Sequence, residues 1–159
     1  MKNMTTDYTK LIPEMQDWNN GKGIDVESWV GCTGNFRLAI GYSTIFWPEF
    51  VEFEGYVLRK GFSVEGLRSL EKNYAGKYPS PKKTIEATMN HLHIADIQYC
   101  GCEDFTHERV IFLGRILREI HQAKLVWQFP EKAFEVHFDE SNPDPSDWGY
   151  VLTFSQKDS

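Results

Sequence analysis

The side chains with the most varied chemistry lie close together, between residues 86 and 107. This segment holds three of the five histidines and two of the three cysteines of the chain, along with carboxylates and an asparagine. Imidazole, thiol and carboxylate groups are the usual acid–base and metal-binding groups of proteins. The residues that we single out here are Glu86, Asn90, His93 and Asp96, followed by Cys100, Cys102 and His107.

The position of these side chains depends on one predicted helix. The serine and proline at residues 80–81 are typical of a helix start, and apolar residues then recur three and four positions apart as far as Leu92. If the helix continues through Asp96, that carboxylate lies in line with the apolar stripe, where an unpaired charge would be costly. His93 then becomes its i, i+3 neighbour.

Three interpretations of this arrangement stay open. In the first, Asp96 caps the next segment or accepts backbone hydrogen bonds, and His93 is a half-buried structural histidine. In the second, Asn90, His93 and Asp96, with Glu86 beside them, line a groove that binds a partner or a small ligand. In the third, His93 and Asp96 form an acid–base pair or part of a metal site, as in a small hydrolase.

A metal site would draw on the neighbouring cysteines. Cys100, Cys102 and His107 supply three ligands suited to zinc, whereas structural zinc usually takes four. One residue between the cysteines is also less than the usual spacing, so His93 or Cys32 would have to complete the site. Free cysteines are the favoured interpretation, and no cofactor is expected.

A second feature is the aromatic run at residues 47–50, Trp-Pro-Glu-Phe. Trp47 and Phe50 could form a buried corner of the core. They could instead form an exposed recognition patch, because large aromatic residues are enriched at the centres of protein interfaces. We therefore include Trp47 and Phe50 among the candidate binding residues.

The charge distribution limits the choice of partner. The chain of 159 residues carries a net charge of −6, with −4 in residues 1–58, +5 in 59–83 and −7 in 84–159. This acidic excess argues against nucleic acid, which basic proteins bind, and favours a protein partner with a basic surface. The basic band at 59–83 is expected to pair with the protein's own carboxylates. No apolar stretch is long enough to span a membrane, so no membrane role is expected.

The elements predicted from periodicity and breakers define an α+β fold: an antiparallel sheet with two or three helices packed on one face. We expect one globular domain over residues 1–159, with residues 1–7 flexible. The predicted helices are 7–18, 63–74, 81–96 and 106–126, and the predicted strands are 36–47, 50–59, 133–138 and 148–154, the last two forming a hairpin.

Three segments together resemble a small, uncharacterised family of bacterial proteins. They are WPEF at residues 47–50, NHLHIAD at 90–96, and AKL followed by FP at 123–130. The resemblance covers most of the chain from about residue 28. It implies a bacterial, cytoplasmic protein and supplies no catalytic residues.

These observations favour a non-enzymatic, acidic protein-interaction module, such as a bacterial immunity or adaptor protein. The alternative is a small hydrolase or metal-dependent enzyme that uses the His93 and Asp96 pair near Cys100 and Cys102. The sequence is compatible with a homo-oligomer.

Overall fold

The computed structural model describes residues 6–98, 103–141 and 149–157. They form helices and two small antiparallel sheets, which confirms the predicted α+β class. The chain divides into two compact units at Ser43–Thr44, and the single globular domain stays a prediction. Within the described ranges, no helix has both the length and the apolar character needed to cross a bilayer.

The first unit is built of short helices. The predicted helix 7–18 is wrong as a continuous element, because Pro13 cannot donate the backbone hydrogen bond that a helix interior requires. A 3-10 helix starts at this proline. The elements are α1 (Tyr8–Leu11), the 3-10 helix (Pro13–Asp17), α2 (Trp18–Gly21), α3 (Val26–Thr33) and α4 (Phe36–Phe46), whose end lies in the second unit.

Helix α4 corrects the predicted strand at 36–47. The Asn35 side chain begins the helix, since its Oδ1 accepts a hydrogen bond from the Leu38 amide at 3.0 Å. Gly34 permits the tight connection from α3, because a Cβ at this position would lie 2.7 Å from the Val30 carbonyl oxygen. A continuous apolar run does not distinguish a strand from a helix, which explains the wrong prediction.

The segment predicted as one strand at 50–59 is a hairpin of two strands. Strand β1 (Phe50–Phe53) pairs antiparallel with β2 (Tyr56–Arg59). The two residues between them, Glu54 and Gly55, have φ values of 50° and 83°. Such left-handed pairs are typical of the tight turns that join hairpin strands.

The second sheet contains three strands in the order β3-β5-β4, all antiparallel. They are β3 (Leu92–His93), β4 (Phe134–Phe138) and β5 (Val151–Gln156). The pairing of β4 with β5 confirms the predicted C-terminal hairpin. The turn that joins these two strands includes residues 142–148, which lie outside the described residues.

The longer helices of the second unit agree with the sequence in two cases out of three. Helix α5 (Val64–Tyr74) starts at Ser63, whose Oγ accepts from the Gly66 amide, and α7 is His107–Gln128. Helix α6 (Pro81–Met89) ends at Asn90, so its predicted extension through Asp96 is wrong. The chain instead enters β3 and then a 3-10 helix at Ile94–Gln98.

The core of the second unit lies between α7 and the strands. Leu117 and Leu125 of α7 are fully buried, in two clusters with the apolar residues of β4 and β5. A third cluster joins Leu58 of β2 to Leu67 of α5 and Ile85 of α6. The strands and α7 therefore form a packed core that supports the surface residues of this unit.

Candidate interaction surface

Glu86 is a structural residue that joins the two sheets. Its side chain is completely buried. Its Oε1 accepts from the Val57 amide of β2 at 2.8 Å, and its Oε2 accepts from the Gln156 amide of β5 at 2.7 Å. The Gln156 side-chain amide donates to the same carboxylate. These donors satisfy a buried carboxylate, as buried polar groups require.

Asn90, one helical turn after Glu86, also joins the two sheets. Its Oδ1 accepts from the Arg59 amide at 3.0 Å, and its Nδ2 donates to the Val57 carbonyl at 2.9 Å and to the Phe154 carbonyl at 3.3 Å. Asn90 is 1% exposed. The predicted binding residues Glu86 and Asn90 thus bond backbone groups of β2 and β5 and offer no open polar surface.

His93 and Asp96 belong to different elements. His93 pairs with Val151 in the sheet, and its ring lies edge-on to the His91 ring, with centroids 5.2 Å apart. Asp96 is exposed on the 3-10 helix. The sequence predicted His93 and Asp96 as i, i+3 neighbours on one α-helix. That prediction is wrong, because α6 ends before both residues.

The alternative metal ligands are only partly described. Cys100 and Cys102 lie outside the described residues. His107 is the first residue of α7, and its Nδ1 lies 2.6 Å from the Tyr150 hydroxyl. Over the described ranges, no group of three or more histidine, cysteine or acidic residues is arranged to hold a metal ion.

The basic band at 59–83 contains cations that face the protein's own carboxylates. Arg68 pairs with both Glu54 and Glu71, with its Nη2 2.6 Å from Glu54 Oε1. Lys60 pairs with Glu49, and Lys83 pairs with Glu135 of β4. These contacts support the interpretation of the band as a solvated, self-paired face.

The aromatic run at 47–50 has one large side chain in the core and one at the surface. Phe50 is 3% exposed and packs edge-on against Phe154, with ring centroids 4.8 Å apart. Trp47 is 52% exposed. Phe50 therefore anchors the segment in the core, and this anchor fixes the backbone that holds Trp47 at the surface.

Trp47 has a partner that the sequence analysis missed. Trp127, near the end of α7, is 68% exposed, and the two ring centroids are 6.1 Å apart. The Lys124 ammonium contacts both rings, with Nζ 4.6 Å from the Trp47 centroid and 4.4 Å from that of Trp127. Such cation–π contacts strengthen when the cation is desolvated, and Lys124 is only 7% exposed.

We call Trp47, Lys124 and Trp127 the indole surface. The carboxylate of Glu49 lies close to it, since the charge of Lys124 is among those that lower the pKa of Glu49. The hydrogen bond from Lys60 is the main cause of the lowered pKa of Glu49, and Lys60 and Lys124 both contribute by charge attraction. The surface therefore combines two exposed indoles, a covered cation and an ionised carboxylate, a composition suited to protein recognition.

One signal in the sequence could have revealed Lys124. It lies seven residues after Leu117, on the stripe of α7 that faces the core. A lysine on such a stripe needs a special environment for its charge. Nothing in the sequence relates Trp127 to Trp47, which lies eighty positions earlier.

No protein-family model, curated protein or solved structure matches the chain.

Proposed function

We propose that the protein is a non-enzymatic interaction module that binds a basic protein partner through the indole surface. The observation that carries this proposal is the pair of exposed tryptophans, Trp47 and Trp127, held in place by a nearly buried Lys124. Tryptophan is prominent among the residues that dominate binding energy at interfaces. Its pre-organised position here also reduces the entropy lost on binding.

The chemistry of the surface and the charge of the chain support a basic partner. The indole rings already bind one ammonium group, that of Lys124, and both side chains remain more than half exposed. Arginine or lysine of a partner can stack on the exposed parts of the rings. The net charge of −6 would attract such a partner at long range and accelerate association.

In biological terms, an immunity or adaptor protein that masks a basic partner fits this surface. A cytoplasmic setting is part of the proposal. It is supported by the odd number of cysteines, three, which does not suit a disulfide framework.

The direct test is affinity capture from a lysate of the organism that encodes the chain. We expect the wild-type protein to retain a stoichiometric basic protein, with recovery that falls as salt is raised. Trp127→Ala should reduce the affinity for that protein at least about 30-fold, the effect of losing an interface hot spot.

Trp18→Ala is the matched control, since Trp18 is also a partly exposed tryptophan, at 37%, and lies in the first unit. It should leave capture unchanged. Capture of no partner at low salt would contradict the proposal. Equal capture by the wild type and by Trp127→Ala would do so as well.

A further inference from the structure

The carboxylate beside the indole surface keeps one oxygen available for a partner. The Glu49 side chain is 68% exposed, and its Oε2 accepts a hydrogen bond from the Lys60 ammonium. Its Oε1 accepts no hydrogen bond from any residue in the ranges that the structure describes. Each oxygen of an ionised carboxylate can accept hydrogen bonds, so Glu49 retains acceptor capacity at this surface.

The backbone places Glu49 and Trp47 on the same side of the chain. Both residues are exposed, whereas Pro48 between them is buried, which is the alternation of an extended segment. The Glu49 carbonyl accepts from the Lys60 amide at 2.9 Å, and the buried Phe50 anchors the next position. The carboxylate and the indole are therefore pre-organised on one face, which lowers the entropy lost on binding.

Lys124 limits which groups can bind to the rings. Its ammonium lies over both indoles, 4.6 Å from the Trp47 centroid and 4.4 Å from that of Trp127. The two tryptophans are still 52% and 68% exposed, so a partner can reach the parts of the rings that Lys124 leaves uncovered. A cation that binds there needs a negative group close by to offset repulsion from Lys124. Glu49 supplies that negative group.

The two basic side chains of a partner differ in what they can use here. An arginine guanidinium is planar, so it stacks flat on an aromatic ring and directs its N–H groups sideways towards a carboxylate. A lysine ammonium is a compact, strongly hydrated charge that does not stack. Indole rings beside an available carboxylate oxygen therefore favour arginine.

We propose that the indole surface anchors an arginine side chain of the basic partner, with the guanidinium stacked on an indole and hydrogen-bonded to Glu49 Oε1. Glu49 is then the residue that selects arginine over lysine. This inference rests on the proposed function, because it names the group of the basic partner that the surface binds.

Titration of the full chain with two short peptides tests this inference without the partner. The peptides are acetyl-Gly-Ser-Arg-Ser-Gly-amide and the same peptide with lysine in place of arginine, so each carries one positive charge. Nuclear magnetic resonance follows the indole N–H signals. The arginine peptide should shift the signals of the indole surface and bind at least about fivefold more tightly than the lysine peptide, because it adds a stacking contact and a charged hydrogen bond. The Trp18 signal should not move.

Two variants test the role of Glu49. Glu49→Ala removes the acceptor and should bind both peptides equally, to within about twofold. Glu135→Ala is the matched control, because it removes the same charge from an exposed ion pair on β4 and should keep the preference for arginine.

Equal affinity of the wild type for the two peptides would overturn the inference. So would the absence of any shift with the arginine peptide, or a preference for arginine that survives Glu49→Ala. None of these results depends on capture of the partner, which tests the proposed function. The two proposals can therefore fail separately.

Discussion

At the scale of single residues, the clearest consequence of folding is the buried His121 of α7. The residue is 1% exposed, its Nδ1 lies 2.8 Å from the Leu117 carbonyl oxygen, and its ring lies near those of Phe50 and Phe154. Burial lowers the pKa of His121 to about 4, and the nearby Arg59 charge acts in the same direction. The folded protein therefore holds a neutral imidazole.

This burial predicts a specific dependence of stability on pH. Because the folded pKa of His121 is below its ordinary value of 6.5, the unfolded chain takes up the proton first as the pH falls. The stability contribution is complete above about pH 6.5 and is lost progressively towards about pH 4. Between about pH 7.5 and 5.5, the free energy of unfolding should fall by roughly 1.3 kcal/mol through this group.

Urea unfolding at the two pH values measures this effect. His121→Leu should remove the contribution, whatever its effect on absolute stability. Nuclear magnetic resonance of the imidazole gives the second readout, since His121 should stay neutral where the unfolded chain titrates. A His121 signal that titrates near 6.5 in the folded protein would contradict the account.

Gly114 of α7 provides a second prediction at this scale. A Cβ at this position would overlap the ring of Phe138, which packs directly on the helix backbone. Gly114→Ala should therefore lower the free energy of unfolding by about 1–3 kcal/mol. Gly41→Ala on α4 has open space around the added Cβ and should be neutral or slightly stabilising. Chemical denaturation of both variants distinguishes steric overlap from helix propensity, and equal stability of the two would exclude the overlap.

Single residues were predictable where their role is local. Ser63 starts a helix because its hydroxyl bonds an amide three residues later, and spacing alone predicts this. Trp47 is one of the candidate residues from the sequence and lies exposed, as a binding residue would have to. Its contact with Lys124 was not predictable, since that contact joins distant parts of the chain. The roles of Glu86 and Asn90 were also beyond local rules. Each side chain bonds backbone groups 29 to 33 residues earlier in the chain and others 64 or 70 residues later.

At the scale of elements, α6 serves as a bridge between the two sheets. Strands β2 and β5 each have backbone N–H or C=O groups that do not pair with a neighbouring strand. The side chains of Glu86 and Asn90, at the end of α6, form hydrogen bonds with these groups. Unsatisfied edge groups are costly when buried. The two side chains thus replace part of a missing strand, which explains why a carboxylate is tolerated in the interior.

Because Glu86 and Asn90 join the two sheets, replacing either residue should lower the free energy of unfolding substantially. Asn90→Ala leaves the Arg59 amide and two carbonyls without partners, so we expect a loss of about 2–4 kcal/mol in unfolding free energy. Glu86→Gln should cost about 1–3 kcal/mol, because an amide nitrogen would face a backbone donor.

Glu135→Gln is the control for this pair. It removes only an exposed ion pair with Lys83 and should change the stability by less than about 0.5 kcal/mol. Guanidinium denaturation measures all three variants. An Asn90→Ala variant as stable as Glu135→Gln would show that the bridge does not support the fold.

The elements that the sequence predicted correctly are those with a clear period and a clear boundary. Helix α7 and the pairing of β4 with β5 satisfy both conditions. Helix α6 was extended too far because its apolar spacing continues through Leu92. Leu92 pairs with Leu152 in the sheet instead, and this tertiary contact overrides the helical period.

At the scale of the whole molecule, the indole surface combines aromatic rings with charge in an acidic chain. Raising the salt concentration should therefore weaken partner capture, because the long-range attraction between an acidic chain and a basic partner is screened. Capture at low and high salt, carried out on the same preparation, measures this dependence.

Hydroxyl-radical footprinting of the captured complex tests the central proposal most directly, because it needs no variant. In the free protein, Trp47 and Trp127 should both be oxidised readily, as their exposure requires. On binding of the basic partner, oxidation of both indoles should fall several-fold, while that of Trp18 should stay as in the free chain. Unchanged oxidation of Trp47 and Trp127 in a fully formed complex would contradict binding at the indole surface.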